Sequence, residues 1–328
     1  MQIFKETPDI DFIGKRFHFF LLSGLLVAAS VVSLAMRGLN WGIDFTGGSV
    51  VQVSFSSPTT LPQLRGMLKT AGYGEAIPQR FTGTDSFQIR IKTAGTETAE
   101  TADAFIEKLK GVVGGKTFEV DSKEFVGPTV GRHLYKQALF AVVFSMIAIV
   151  GYVAFRFSNP LWGIAGILAL AHDILAGLGL ISMLGMELDL VLVAALLTLS
   201  GYSINDSIVI FDRMREKLRT MRRESLAEVL NASVNETLSR TLITSLTTFF
   251  TVLTLALVGG TVIHDFATVM SFGIVVGTYS SIGVCAGLVF AWTTRRKLPP
   301  QTASSVPKAQ GGVEERARGK RARRRRGA

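Results

Sequence analysis

The chain has 328 residues, 48% hydrophobic and 18% charged, with 35 Lys and Arg against 25 Asp and Glu for a net charge of +10. A charged fraction below the ~25% of ordinary soluble domains argues against a water-soluble protein. The single cysteine, Cys285, excludes an intramolecular disulfide and any CxxC metal or redox site, and no Walker-type loop supports an ATPase.

Six apolar runs reach the ~18 residues expected of a membrane span. They are Phe17–Met36, Ala138–Phe155, Leu161–Gly185, Leu188–Phe211, Thr241–Ile263 and Phe266–Trp292. In chain order this gives an N-terminal segment (1–16), a first span (17–36), a polar domain (37–135), five further spans (136–294) with a polar connection at 212–240, and a basic tail (295–328). Ser33-Leu34-Ala35 has the small residues of a signal-peptidase site. Glu6, Asp9 and Asp11 make a poor signal n-region, so the first span reads as an uncleaved anchor.

"WGIDFTGGSVVQV" (Trp41–Val53) follows the first span. Trp41 suits an interfacial aromatic belt, and Gly47-Gly48 lets the backbone turn into a strand. The domain then reads strand, helix, strand, strand, helix, strand. Ser49–Phe55 alternates and is β-branched; Thr60 is a helix N-cap with Pro62 in the first turn; Gly83-Thr84-Asp85 is a hairpin turn; the helix near 96–115 has an acidic start and a basic end. That order predicts an α+β, ferredoxin-like domain. No phosphate loop, metal cluster or nucleophile with a base appears in it. A free sheet edge able to accept an extended polypeptide is a possibility of the fold alone.

Basic residues mark the cytoplasmic flanks of spans. Six lie between Arg213 and Arg223 and twelve from Arg295 onward, whereas Met186–Glu187 and Gly259–Asp265 carry none. Both termini are therefore expected in the cytoplasm and the α+β domain outside it. Glu224–Arg240 is amphipathic and reads as a short helix along the cytoplasmic interface. The tail is too charged to fold; it reads as a topology anchor on anionic lipid, and no nucleic-acid partner is expected. Asp212, Arg213, Arg215 and Glu216 read as a solvated helix end. Gly273–Gly277 and Gly283–Gly287 are GxxxG patterns, for packing within the chain or for a partner face.

Polar residues at membrane depth are the candidates for chemistry, because a charged side chain at the centre of a span costs about 2.5–3.5 kcal/mol on insertion scales. At 3.6 residues per turn, Asp206 shares a face with Ala195, Leu199, Tyr202 and Ser203. Arg240, at the start of the fifth span, sits at the same level and is its expected partner, with Glu236 a turn away and Thr244, Thr247, Thr248 and Thr251 extending inward. The pair is either a proton site or a static lock between two helices. Asp173 lies deeper, beside His172; adjacent helical residues diverge by ~100°, so the two are not expected to face each other. Asn205 and Ser203 suit hydrogen bonds across helices. A metal site is not expected.

Five stretches, in this order, resemble the SecF family of the bacterial Sec protein-translocation machinery: "GIDFTGGS" (Gly42–Ser49), "VGP" (Val126–Pro128), "AHD" (Ala171–Asp173), "GYSINDSIVIFDRMRE" (Gly201–Glu216) and "SRTLITSLTT" (Ser239–Thr248). The resemblance covers residues 8–297 and excludes the basic tail. It implies a polytopic α-helical protein of the inner membrane whose six spans form half of a pseudo-symmetric twelve-helix unit with SecD, related to resistance-nodulation-division exporters. It implies association with the SecYEG channel, with YajC and YidC, and with unfolded preprotein. It also implies use of the proton gradient, without a cofactor, to promote translocation. The family motif places Gly42, Asp44, Gly47 and Gly48 at the domain, and Asp206 and Arg240 in proton coupling. Asp173, which depth alone would put first as a proton relay, ranks behind them as a relay or helix-pairing residue, and His172 ranks below it. The alternatives are a proton-driven exporter of small molecules or lipids and a purely structural subunit. Exporters of that superfamily usually carry two six-span halves in one chain.

Overall fold

The computed structural model describes residues 7–80, 86–91, 100–113, 116–157 and 159–295. The first spanning helix, α1 (Arg16–Arg37), leads through β1 (Asn40–Trp41) and the single turn α2 (Ile43–Thr46) into the α+β domain. That domain comprises β2 (Gly48–Phe55), α3 (Leu61–Thr70), β3 (Ile77–Arg80), β4 (Ser86–Ile91), α4 (Glu100–Val112) and β5 (Phe118–Val126). The sheet order β3-β4-β2-β5, antiparallel throughout, is the ferredoxin-like arrangement. Its core forms because alternate residues of β2 and β4 face the two helices. Val51, Val53, Phe55, Phe87 and Ile89 pack against Leu64, Leu68, Phe105 and Leu109. α3 begins where the sequence places it, with Gln63 Oε1 accepting the Thr60 N–H at 3.1 Å. The hairpin at 83–85, the start of the second domain helix and the basic tail lie outside the described residues.

Five more apolar helices follow: α5 (Pro128–Arg156), α6 (Pro160–Leu184), α7 (Leu190–Thr220) preceded by β6 (Glu187–Leu188), α8 (Leu226–Val258), and a last span made of α9 (Gly260–Tyr279), a π-helical segment (Ser280–Cys285) and α10 (Ala286–Arg295). Together with α1 they make a polytopic membrane protein. α6, α7 and the last span fill the centre, while α1, α5 and α8 turn apolar faces outward, among them Leu25, Phe144 and Phe250. The glycines of the last span serve packing within the chain. A Cβ on Gly273 would lie 2.5 Å from Leu199 of α7, and one on Gly283 would lie 2.2 Å from Phe19 of α1.

Two expectations need correction. Residues 224–240 are not a separate interfacial helix. Ser225 and Glu228 form a capping box that starts α8 at Leu226, and the helix runs unbroken to Val258. Its apolar stripe, including Leu230, Val234 and Leu238, is buried against Phe12 and Ile13 of the N-terminal segment and against Phe211 and Met214 of α7. Asn231 and Asn235 fasten that segment, accepting the Ile13 and Ile10 N–H groups at 2.9 and 3.1 Å. The connection expected at 212–240 thereby shrinks to residues 221–225. The fifth span ends at Val258 rather than Ile263, and the next helix begins at Gly260.

The domain stands directly on the bundle. Gly47, with φ +73° and ψ 162°, occupies a backbone region essentially restricted to glycine, and a Cβ there would lie 3.1 Å from Pro128 Cα at the start of α5. Gly47→Ala is expected to destabilise the protein by about 1–3 kcal/mol. Reversible unfolding in mixed micelles measures this, and a variant as stable as the native chain contradicts the close seating of domain on helix.

Candidate functional site

The spanning helices enclose one extended polar network. Asp173 of α6 is fully buried, with 0% exposure. Its Oδ2 accepts hydrogen bonds from the Ser203 hydroxyl of α7 and, at 2.9 Å, from the Ser280 hydroxyl that opens the π-helical segment. Its Oδ1 lies 2.8 Å from His172 Nδ1. The expectation that His172 and Asp173 would not face each other is therefore wrong. Their Cβ atoms diverge around the helix, yet the reach of an imidazole and a carboxylate closes the gap. Beyond them, His172 Nε2 lies 3.3 Å from the Tyr279 hydroxyl of α9, which lies 2.5 Å from Ser23 Oγ of α1. The sequence reading missed Tyr279, Ser280 and Ser23. A hydroxyl run, Thr278 to Ser281, in the middle of a span was the available signal.

Asp206 lies one turn from Ser203 on α7, is 3% exposed, and shares its buried face with Ala195 and Leu199 as expected. It lies against Ser245 of α8, with Asn205 of its own helix beside it. Among the described residues Asp206 Oδ2 has no hydrogen-bond partner. Arg240 acts on it through charge, and no ion pair joins the two among the described residues. Arg240 instead faces outward, in line with Thr244, Thr247 and Thr251. Those threonines donate to carbonyls of their own helix one turn back, at 2.8–3.1 Å. Asn205 is exposed, and among the described residues no bond from it to another helix is present. Glu236 belongs to a different group: it pairs with Arg213 and Lys217 of α7. Asp212 pairs with Arg156 at the end of α5. The helix end expected to be merely solvated is in fact tied to its neighbours.

The motif residues meet at the end of the bundle that carries the domain. β1 pairs in parallel with β6, and the Gly42 N–H donates to Leu188 O at 2.8 Å. Asp44 Oδ2 accepts the Leu190 N–H at 2.9 Å, so a residue of the motif caps α7. Asp189, the N-cap itself, accepts from Leu192 N at 2.7 Å. Gly48 opens β2 opposite Val126. Arg90 of β4, only 6% exposed, donates to Trp41 O at 2.6 Å and pairs with Glu187 of β6. Domain, motif and α7 are thus one connected unit. Burial raises the pKa of Glu187, opposed by Arg90, and burial pushes Asp189 up to about 6, helped by the charge of Asp44.

Residues 105–295 match the family described as protein export membrane protein SecD/SecF, C-terminal, and residues 32–59 match the SecD/SecF GG motif. The chain is 42% identical to the protein translocase subunit SecF of Calditerrivibrio nitroreducens, over 90% of this chain and 98% of that protein. It is 41% identical to that of Magnetococcus marinus, over 94% and 100%, and 38% identical to that of Escherichia coli O157:H7, over 88% and 89%. A crystal structure of SecDF from Thermus thermophilus, described as a translocon-associated membrane protein, superposes with a TM-score of 0.80 at 37% identity. That match covers 89% of this chain and 40% of the solved one, so the chain spans about two fifths of it. SecDF in a super-membrane-facing form gives a TM-score of 0.66 at 38% identity, again over 40% of the solved chain.

The junction carries a pH prediction. A carboxyl whose folded pKa is raised favours the folded state while protonated, and that advantage is lost as pH climbs from the unfolded value of 3.8 toward about 6. Asp189→Asn keeps a cap oxygen and removes the charge. Its melting temperature is expected to rise above native by roughly 2–4 °C at pH 7.5. The native gain on acidification to pH 5.5 should flatten, with Glu187 supplying the remainder. Thermal melts at the two pH values decide it; equal pH dependence in both proteins contradicts the burial cost.

Proposed function

The chain belongs to the SecF family of protein-translocase subunits, and from that premise we propose that it acts with SecD to draw on the proton gradient and promote preprotein translocation across the bacterial inner membrane. In this reading its six spans are one half of a twelve-helix unit. The termini are cytoplasmic and the α+β domain lies in the periplasm beside the SecYEG channel. YajC and YidC are further partners in the same assembly, and the basic tail rests on anionic lipid. No cofactor is used.

The observation that carries the proposal is Asp206 Oδ2, a buried carboxylate oxygen without a hydrogen-bond partner among the described residues. A charge left so poorly satisfied is costly, and taking up a proton relieves it. Arg240 bears on Asp206 without pairing to it, so a modest movement of α8 against α7 changes how strongly the charged form is favoured. The outward stripe of Arg240, Thr244, Thr247 and Thr251 is the face we assign to the SecD half.

Movement has a route outward. Asp206 is sixteen residues from the capped start of α7, about 24 Å at 1.5 Å per residue. The same helix end holds Asp44 and the domain. One proton crossing 100 mV supplies about 2.3 kcal/mol, a bias of roughly fiftyfold on a two-state rearrangement.

Asp206→Asn keeps the side-chain size and removes the charge. In vesicles containing this chain and SecD, its translocation with a proton gradient is expected to fall to the level seen with the gradient collapsed. Full gradient-driven translocation by a properly inserted variant would refute Asp206 as the coupling site.

A further inference from the structure

The network around Asp173 is built separately from Asp206, and its hydrogens can be placed by elimination. A carboxylate only accepts, so His172 Nδ1 carries a hydrogen toward Asp173 Oδ1. In the neutral ring Nε2 is then an acceptor, and the Tyr279 hydroxyl donates to it. With its hydrogen so used, Tyr279 accepts from Ser23. Every polar group finds a partner, and all the bonds point from α1 toward Asp173.

We infer that Asp173 and His172 form a second proton-binding site, distinct from Asp206 and loaded along the chain Ser23–Tyr279–His172. A proton arriving at Ser23 lets Ser23 pass its hydrogen to Tyr279, Tyr279 to His172 Nε2, and His172 its Nδ1 hydrogen to Asp173 Oδ1. One proton enters and one is bound. Asp173 is then neutral and donates to Nδ1, and each bond along the chain survives with its direction reversed. The groups facing Asp173 are His172 on its own helix, Tyr279 on α9, Cys285 on the π-helical segment, and the hydroxyls of Ser203 and Ser280. None of these is a fixed cation.

The loaded state has a structural readout. Ser280 Oγ lies 2.9 Å from Asp173 Oδ2 and 3.1 Å from Gly277 O, and it has a single hydrogen for the two acceptors. Charge on Asp173 favours the first, because a hydrogen bond to an ionised acceptor is the stronger. Neutralisation shifts the hydrogen to Gly277 O and loosens α6 from the π-helical segment, a motif often placed at functional positions. The use of the site in transport rests on the proton coupling proposed above; its existence does not.

Infrared pH titration of the full chain in lipid vesicles tests this, reading the stretch of protonated buried carboxyls. The native protein should give bands from Asp173 and Asp206 beside those of the junction carboxyls Glu187 and Asp189. Asp173→Asn should remove the first and Asp206→Asn the second. Tyr279→Phe keeps the ring against His172, 6.0 Å between centroids, and removes the relaying hydroxyl. After a pH jump it should slow the appearance of the Asp173 band at least tenfold. An unchanged set of bands in a folded Asp173→Asn variant overturns the site. Should that variant not insert, native-speed protonation in Tyr279→Phe overturns the path instead. The bands are read without translocation, so a failure of Asp206→Asn to impair transport counts against the coupling role of Asp206 and leaves the Asp173 site standing.

Discussion

Hydrocarbon offers no hydrogen bonds, so each polar group within the bundle must find its partner in the protein or surrender its charge. This constraint explains why α6, α7 and the last span sit at the centre. Asp173 draws donors from all three, and its carboxylate cannot be satisfied by any one of them. α1 is held by the same demand. Ser33 donates to Ser182 at 2.9 Å, and Ser182 in turn donates to Gly38 O at 2.9 Å. α5, tied to the other spans by the Arg156–Asp212 pair at its end, lies at the edge with its apolar face turned outward. Asp206 is the exception that gives the arrangement its interest. It is as deeply buried as its neighbours and not as well satisfied.

The two carboxylates therefore differ in kind. Asp173 has a full set of donors within one chain, arranged in a line. Asp206 is buried against α8 with one oxygen unsatisfied among the described residues. The ion pairs at the opposite end, Arg213 and Lys217 with Glu236, hold α7 to α8 in the isolated chain. The relative position of Asp206 and Arg240 is thereby set in part by a lock about two turns away.

Much of this was legible in the residues. Apolar runs marked six spans, and turn and cap signals marked the ferredoxin-like domain, because those features depend on local pattern. Residues 224–240 were misread because amphipathicity does not say whether the apolar stripe meets lipid or protein. Here it meets Phe12, Ile13 and α7. The contact of His172 with Asp173 was missed because helical geometry was applied to Cβ directions and not to the reach of the side chains. Nothing local to Arg90 reveals its partner Glu187, almost a hundred positions later. The charge of Arg240 bears on Asp206, yet a shared level along two helices does not fix which way a side chain turns around its helix.

The cap that Asp44 provides for α7 has a consequence for the order of events during synthesis. The carboxylate and the amide it accepts from are 146 residues apart. When the α+β domain emerges, its anchoring partner has not yet been made. The domain folds on its own core and waits, and β1 waits likewise for β6. The seat on α5 is available earlier, and the arrival of Glu187 to Leu190 then completes the junction, with one strand pair, one ion pair and one cap formed together. The seam between domain and membrane bundle is therefore a late step of biogenesis, and a ribosome-bound chain ending before α7 carries a finished domain on an unfinished mount.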